Sequence, residues 1–288
     1  MQTVIANVDP ALPAALFPGQ GSQTPGMRDF VAARAPELLD RCIELVGEDP
    51  FPRVTESTRF AQPAIFCASV AAWQAIGIQA GAAAGHSLGE IAALTAAKAL
   101  DTDDALQLVV IRGRLMADAD PDGSMLAVIG GTIEDANEIA AAAGITVAND
   151  NAPGQVVLSG PRDALARAEE AAAERGRRTL PVDVAGAFHS PSMEPAVEPF
   201  RDALDAVEVR APAFPVFSCA SAAPFADIRV ELAAALTRPV RWRETVLALH
   251  EAGVSRFVEP GPGKLLARMG KRILPDHPVE NPLEAVHV

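Results

Sequence analysis

The chain contains no tyrosine, only two tryptophans, three cysteines and five histidines, and far fewer basic than acidic residues (24 Lys and Arg against 37 Asp and Glu, a formal net charge of −13). Each shortage excludes something. The acidic balance argues against nucleic acid and anionic membranes as partners. Cys42, Cys67 and Cys219 form an odd, scattered set without C-x-x-C spacing, so reduced thiols and a cytoplasmic setting are expected rather than a disulfide framework. The histidines show no ligand spacing with cysteines or carboxylates, so no metal site is expected. No apolar run reaches about 18 residues without a charge or breaker, so no membrane span is expected. Met1 to Pro18 lacks a basic stretch and carries Asp9, Pro10, Pro13 and Pro18, unlike a signal peptide.

What is present is a chain of 288 residues with 49% apolar content, enough for one large core or two smaller ones. Its most informative stretch is GHSLGE, Gly85 to Glu90. The form G-x-S-x-G suits a serine on a tight strand-to-helix turn, where both glycines must lack bulk. Ala82–Ala84 reads as a short buried strand and Ile91–Leu94 as the start of a helix, which puts Ser87 at a helix N-terminus, where an oxyanion is favoured.

Residues 1–13 read as a loose leader, and residues 14–17 as a strand ending in the glycine loop 18–23. Helical patterns follow at 28–46, 62–76 and 102–118. Past a break at Pro121–Gly123, residues 124–187 alternate strand, helix, strand, strand, helix, strand. That order is the split βαβ, ferredoxin-like arrangement, read as a small unit at 123–187 inserted into a larger α/β unit formed by 1–122 and 188–288. Helices at 191–205, 229–236 and 243–252, a strand at 257–259 and a last basic helix complete the larger unit.

A serine nucleophile needs a base and an oxyanion hole. His86 adjoins Ser87, but consecutive side chains at a sharp turn point apart, so it is expected to pack beside the elbow. His250 lies in a helical pattern, and His277 and His287 near the C-terminus. His189, in the loop where the chain re-enters the larger unit, is as readily an ordinary surface histidine as a base. No acidic third member stands out; Asp183 is a candidate, and a backbone carbonyl is an alternative that leaves no trace in sequence. Arg112, on an otherwise apolar helix, suits a bidentate clamp for a carboxylate, although on pattern alone the solvated reading leads. Glu90 with Ser87 fits a capping box, so a structural role is expected for it. The loop Gly19–Gln23 lacks phosphate-loop spacing and better suits a backbone donor to an oxyanion.

FPGQGSQ (17–23), AQPA (61–64), GHSLGE, the segment 111–116, NDNAPGQVVLSG (149–160), GAFHSPSM (186–193), RPVRW (238–242) and EPGPGK (259–264) together resemble the malonyl-CoA:acyl-carrier-protein transacylases and the acyltransferase domains of fatty acid and polyketide synthases. The match spans nearly the whole chain, apart from the first dozen residues and the tail after about 275. It implies an α/β-hydrolase-like large domain with a parallel central sheet and an inserted ferredoxin-like small domain. By position, Ser87 matches the acylated nucleophile, His189 the general base, and Gln20 and Leu88 the backbone oxyanion donors. Arg112 matches the arginine that pairs with the malonyl carboxylate, and Gln62 a glutamine near the pocket. The carbonyl that orients the histidine falls at Ala235. Phe188 resembles the malonyl-selecting form. Ala61 stands where threonine is usual and Ala117, after Met116, where glutamine is common, changes expected to reshape only the pocket edge.

The implied reaction is ping-pong transfer of malonyl from malonyl-CoA to the phosphopantetheine thiol of acyl carrier protein, with no metal or redox cofactor. Carrier docking on an acidic chain needs a basic patch; Lys264, Arg268, Lys271 and Arg272, or Arg175, Arg177 and Arg178, are candidates, each also readable as a solvated face. An acylhydrolase on the same scaffold, a non-enzymatic docking subunit and a transacylase subunit of malonate decarboxylase are the alternatives.

Overall fold

Alanine-rich strands set the centre of the molecule. The computed structural model describes residues 7–282. Strand β1 (Ala14–Phe17) leads into α1 (Met27–Arg34), α2 (Pro36–Val46) and α3 (Thr58–Ile76), with a 3-10 turn at Phe51–Arg53. Then come β2 (Ala82–Gly85), α4 (Gly89–Ala96) and α5 (Thr102–Ala119). The middle of the chain forms β3 (Gly123–Ile129), α6 (Ile133–Ala143), β4 (Thr146–Ala152), β5 (Gln155–Pro161), α7 (Arg162–Glu174) and β6 (Arg178–Val182). The remainder is a 3-10 turn at Pro191–Met193, α8 (Glu194–Asp205), β7 (Val216–Ser218), β8 (Ala223–Pro224), α9 (Ile228–Ala234), α10 (Trp242–Glu251), β9 (Phe257–Val258), α11 (Leu265–Ile273) and β10 (Val279–Glu280).

The first sheet runs β10-β9-β1-β2-β7-β8, parallel except for the β7–β8 pair. Every residue of β1 and β2 is buried, as a parallel sheet covered on both faces requires. Alternate residues serve opposite layers: Ala15, Phe17 and Ala83 join the core under α3 and α5, while Ala14, Leu16, Ala82 and Ala84 join the one under α10 and α11. Each fully buried Phe or Leu contributes roughly 1.5–3 kcal/mol.

The second sheet, β4-β5-β3-β6, is antiparallel throughout. Leu126, Val128 and Leu158 pack one face against α6 and α7. Met125, Ala127 and Val157 turn the other face toward the main core and a cavity. The second sheet is tied to α10 and the segment before it: Asp150 N–H donates to Val240 O at 2.8 Å, Val240 N–H to Ala148 O at 2.8 Å, and Arg243 pairs with nearly buried Asp150 at 2.8 Å.

Several expected boundaries move. The single helix expected at 28–46 is two, broken at Ala35 (φ −147°), because Pro36 bars its predecessor from helical geometry. The strand expected at 145–147 runs on to Ala152 through the buried polar run Asn149-Asp150-Asn151, where Asn149 pairs with Val157 on one side and Val240 on the other. Of the leader expected over 1–13, residues 1–6 lie outside the described residues; Asp9, itself exposed, is tied to the main unit, where its N–H donates to Gly81 O and a side chain on Gly81 would strike Asp9 O at 2.0 Å. His287 lies outside the described residues.

Candidate active site

The turn after β2 has no room for side chains. A Cβ on Gly85 would lie 1.9 Å from Gly89 C, one on Gly89 would lie 2.1 Å from Phe17 O, and one on Gly19 would lie 2.4 Å from His86 O. These contacts press the loop after β1 against the elbow and leave Ser87 at φ +54°, a left-handed conformation costly for a residue with a side chain. The expected capping box is absent: α4 begins at Gly89 with Leu88 at its cap and no side-chain cap bond, because the Ser87 hydroxyl is engaged elsewhere. Glu90 instead accepts Cys219 N–H at 2.8 Å, tying the end of β7 to the elbow. Burial pushes its carboxyl up to about 7.

Ser87 Oγ lies 2.7 Å from His189 Nε2. His189 Nδ1 faces the carbonyl oxygens of Ala235 (2.9 Å) and Arg238 (3.2 Å), which can only accept, so Nδ1 carries the proton and Nε2 is free to take one from serine. Burial, then the nearby Arg112 charge, pulls the imidazolium down to about 3, so the ring is neutral at physiological pH. His189 also has a positive φ, +57°. Asp183 is exposed and makes no bond to His189; the two carbonyls take the place of an acid. His86 packs at 5.4 Å from Trp242 and bonds Asn151 Oδ1 at 2.8 Å, away from the Ser87 hydroxyl. His250 and His277 cap backbone carbonyls elsewhere.

Arg112 is buried (4% exposed), contrary to the solvated reading. Its Nη2 donates to Ser87 Oγ at 3.0 Å and its Nη1 to Gln62 Oε1 at 2.7 Å. Burial lowers the guanidinium to about 10, still charged near neutrality. Gln62 Nε2 donates to Thr58 Oγ1 at 2.8 Å and approaches Met116 Sδ at 3.3 Å, and Thr58 Oγ1 donates to Gln20 Oε1 at 2.7 Å. The backbone N–H groups of Gln20 and Leu88 donate to no protein acceptor among the described residues.

These groups open on a cavity of about 470 Å³ between the two sheets, whose walls include Gln20, Met116, Phe188, Asn149 and Met269. Of the basic clusters, Arg175 and Arg177 pair with Glu138 (3.6 Å) and Asp135 (2.9 Å). Lys264, Arg268, Lys271 and Arg272 are exposed at α11, whose Leu265 and Met269 reach the cavity. Thr58, Asn151 and the Arg238 carbonyl escaped sequence reasoning. Thr58 lies four residues before Gln62, one helical turn away, which was the available signal.

A half-buried serine bonded to a neutral histidine, beside two unused N–H groups, is equipped to form an acyl ester, and a buried cation at the same oxygen suits an acyl group bearing a carboxylate. Residues 31–281 match the acyl transferase domain family. The chain belongs to that family. Malonyl CoA-acyl carrier protein transacylase of Bacillus subtilis is 37% identical over 285 residues, covering 90% of this chain and 90% of that protein. The polyketide biosynthesis protein ThaF of Burkholderia thailandensis is 39% identical over 280 residues, 91% of this chain, but this chain spans only 24% of its length. The crystal structure of malonyl-CoA:acyl carrier protein transacylase from Xanthomonas oryzae pv. oryzae superimposes with a TM-score of 0.89 at 34% identity, covering 96% of each chain. Among the described residues no helix is long and apolar enough to cross a membrane.

Proposed function

We propose that this chain moves a malonyl group from malonyl-CoA to the phosphopantetheine thiol of acyl carrier protein, in fatty acid or polyketide synthesis. One observation carries the reading: a base at 2.7 Å and a buried guanidinium at 3.0 Å converge on the single oxygen Ser87 Oγ. An ordinary esterase site has no use for a desolvated cation there, whereas an acyl group ending in a carboxylate does.

His189 Nε2 takes the hydroxyl proton as Ser87 Oγ attacks the thioester carbonyl. The oxyanion is held by the N–H groups of Gln20 and Leu88. Its collapse breaks the C–S bond, His189 returns the proton to the CoA sulfur, and a malonyl-Ser87 ester remains. The carrier thiol then gives its proton to His189, attacks the ester through a second oxyanion, and leaves as the malonyl thioester while Ser87 regains its proton. Throughout, Arg112 exchanges its bond to Ser87 for a paired bond to the malonyl carboxylate, with Gln62 holding the guanidinium from behind. Phe188 and Met116 line the acyl pocket.

The strand order of the second sheet, with two helices on one face, supports a ferredoxin-like unit at 123–187 set into a hydrolase-like unit formed by 1–122 and 188–288. The exposed cations of α11 are the approach we assign to the carrier, since Leu265 and Met269 of the same helix line the cavity that opens on Ser87. Three buried free cysteines fit a reducing, cytoplasmic setting. Incubation with malonyl-CoA and phosphopantetheinylated carrier protein tests the reading: malonyl-carrier and free CoA should form together. Free malonate without malonyl-carrier would replace transferase by acylhydrolase.

A further inference from the structure

The polar chain behind Ser87 has a fixed direction. Arg112 can only donate, so the Gln62 atom facing it is Oε1, and the Gln62 amide nitrogen must face Thr58. Thr58 Oγ1 therefore accepts there, and its one proton is committed to Gln20 Oε1. Thr58 is buried (4% exposed) at the first residue of α3. The neighbour of Arg112 makes this meeting possible: a Cβ on Gly113 would lie 3.1 Å from Thr58 O, so α5 approaches α3 closely at this point. Among the described residues the Thr58 hydroxyl thus joins the loop bearing the Gln20 N–H to the glutamine that orients Arg112.

We infer that Thr58 is a positioning residue that couples the oxyanion loop to the carboxylate clamp, and that this coupling sets the preference for malonyl over uncharged acyl groups. The inference rests on the transferase reading above. Without the hydroxyl, Gln62 Nε2 keeps only the thioether of Met116, and its amide is free to turn its N–H groups toward Arg112. Gln20 Oε1 at the same time loses its donor. A carboxylate-bearing substrate then suffers at both ends, whereas an acetyl group, which does not use Arg112, suffers only at the oxyanion.

The test compares wild type, Thr58→Val and Thr58→Ser for the rate of serine acylation by malonyl-CoA and by acetyl-CoA, read by intact mass. Thr58→Val should lose about 10- to 100-fold in kcat/KM with malonyl-CoA and less than about 5-fold with acetyl-CoA, so the preference for malonyl falls, and Thr58→Ser should restore it. Equal losses on both substrates, or no loss, overturn the inference. Thr58→Ala repeats the comparison if the valine variant does not fold. A wild-type protein that takes no malonyl group would instead overturn the transferase reading and is told apart at once.

Discussion

Arg112 Nη2 donates a 3.0 Å hydrogen bond to Ser87 Oγ, the same oxygen that faces His189 Nε2 at 2.7 Å. The cation thus occupies the space beside the nucleophile where the far end of a short acyl group must lie. Arg112→Ala should lower acylation by malonyl-CoA about 10- to 100-fold, the worth of a charge-assisted bond, and spare acylation by acetyl-CoA. Parallel rates with the two thioesters check this; an equal loss on both would assign Arg112 to holding Ser87 rather than the substrate. Arg112→Lys should not rescue, since an ammonium cannot reach Gln62 and a carboxylate in one plane.

The His189 imidazole, held at about 3 by burial and the Arg112 charge, should give a kcat/KM for acylation that is flat from about pH 5 to 8. The sign follows from the neutral ring being the active form, so activity is lost only as pH falls toward about 3. A pH–rate profile for malonyl-CoA checks this, and an inflection near 6.5 would contradict it.

Much of this site was legible because its chemistry sits in short, local patterns. Gly85, Ser87 and Gly89 are spaced by the turn they make, and the clashes at both glycines show why no other residue fits. Ser87, His189, Arg112 and Gln62 come from four segments; local pattern alone left His189 open and favoured a solvated Arg112, the family resemblance pointed to all four, and the structure brings them together. What stayed hidden depends on long-range contact. Spacing cannot rank Asp183 against a backbone carbonyl, since backbone oxygens carry no residue code; the family resemblance alone points to Ala235, and nothing in the sequence points to the Arg238 carbonyl. The Glu90 carboxyl looked like a cap from its distance to Ser87, but its partner is Cys219, more than a hundred residues away. Sequence pattern failed at the buried polar run Asn149–Asn151, where Asn149 has a strand partner on each side, and at β10, whose two residues are too few to show any alternation.

Glu90 is 1% exposed, with its carboxyl raised from 4.5 to about 7. A raised acid binds its proton more readily in the folded state, so its contribution to stability is complete below about 4.5 and lost as pH rises through about 7. Glu90→Gln keeps an acceptor for Cys219 N–H and removes this dependence. Urea unfolding at pH 5 and pH 8 should show the variant gaining on wild type at the higher pH, by on the order of 2–3 kcal/mol. A difference independent of pH would mean that Glu90 titrates normally.

Gly85→Ala puts a Cβ 1.9 Å from the backbone carbon of Gly89, which has nowhere to move. A loss of at least about 3 kcal/mol is expected, a fall in Tm on the order of 6–12 °C. Gly47→Ala is the control: its φ is +89°, but nothing lies within 4 Å, so only conformational strain of about 1 kcal/mol applies. Thermal melting of the two variants separates collision from strain, and similar losses would refute the packing argument at the elbow.

The most direct test of the central claim is the intact mass of the protein after incubation with malonyl-CoA, followed by peptide mapping. One malonyl group should appear on wild type, map to Ser87, vanish in Ser87→Ala, and leave the protein when phosphopantetheinylated carrier is added. A wild-type protein that takes no malonyl group, or an adduct that persists in Ser87→Ala, would contradict the account.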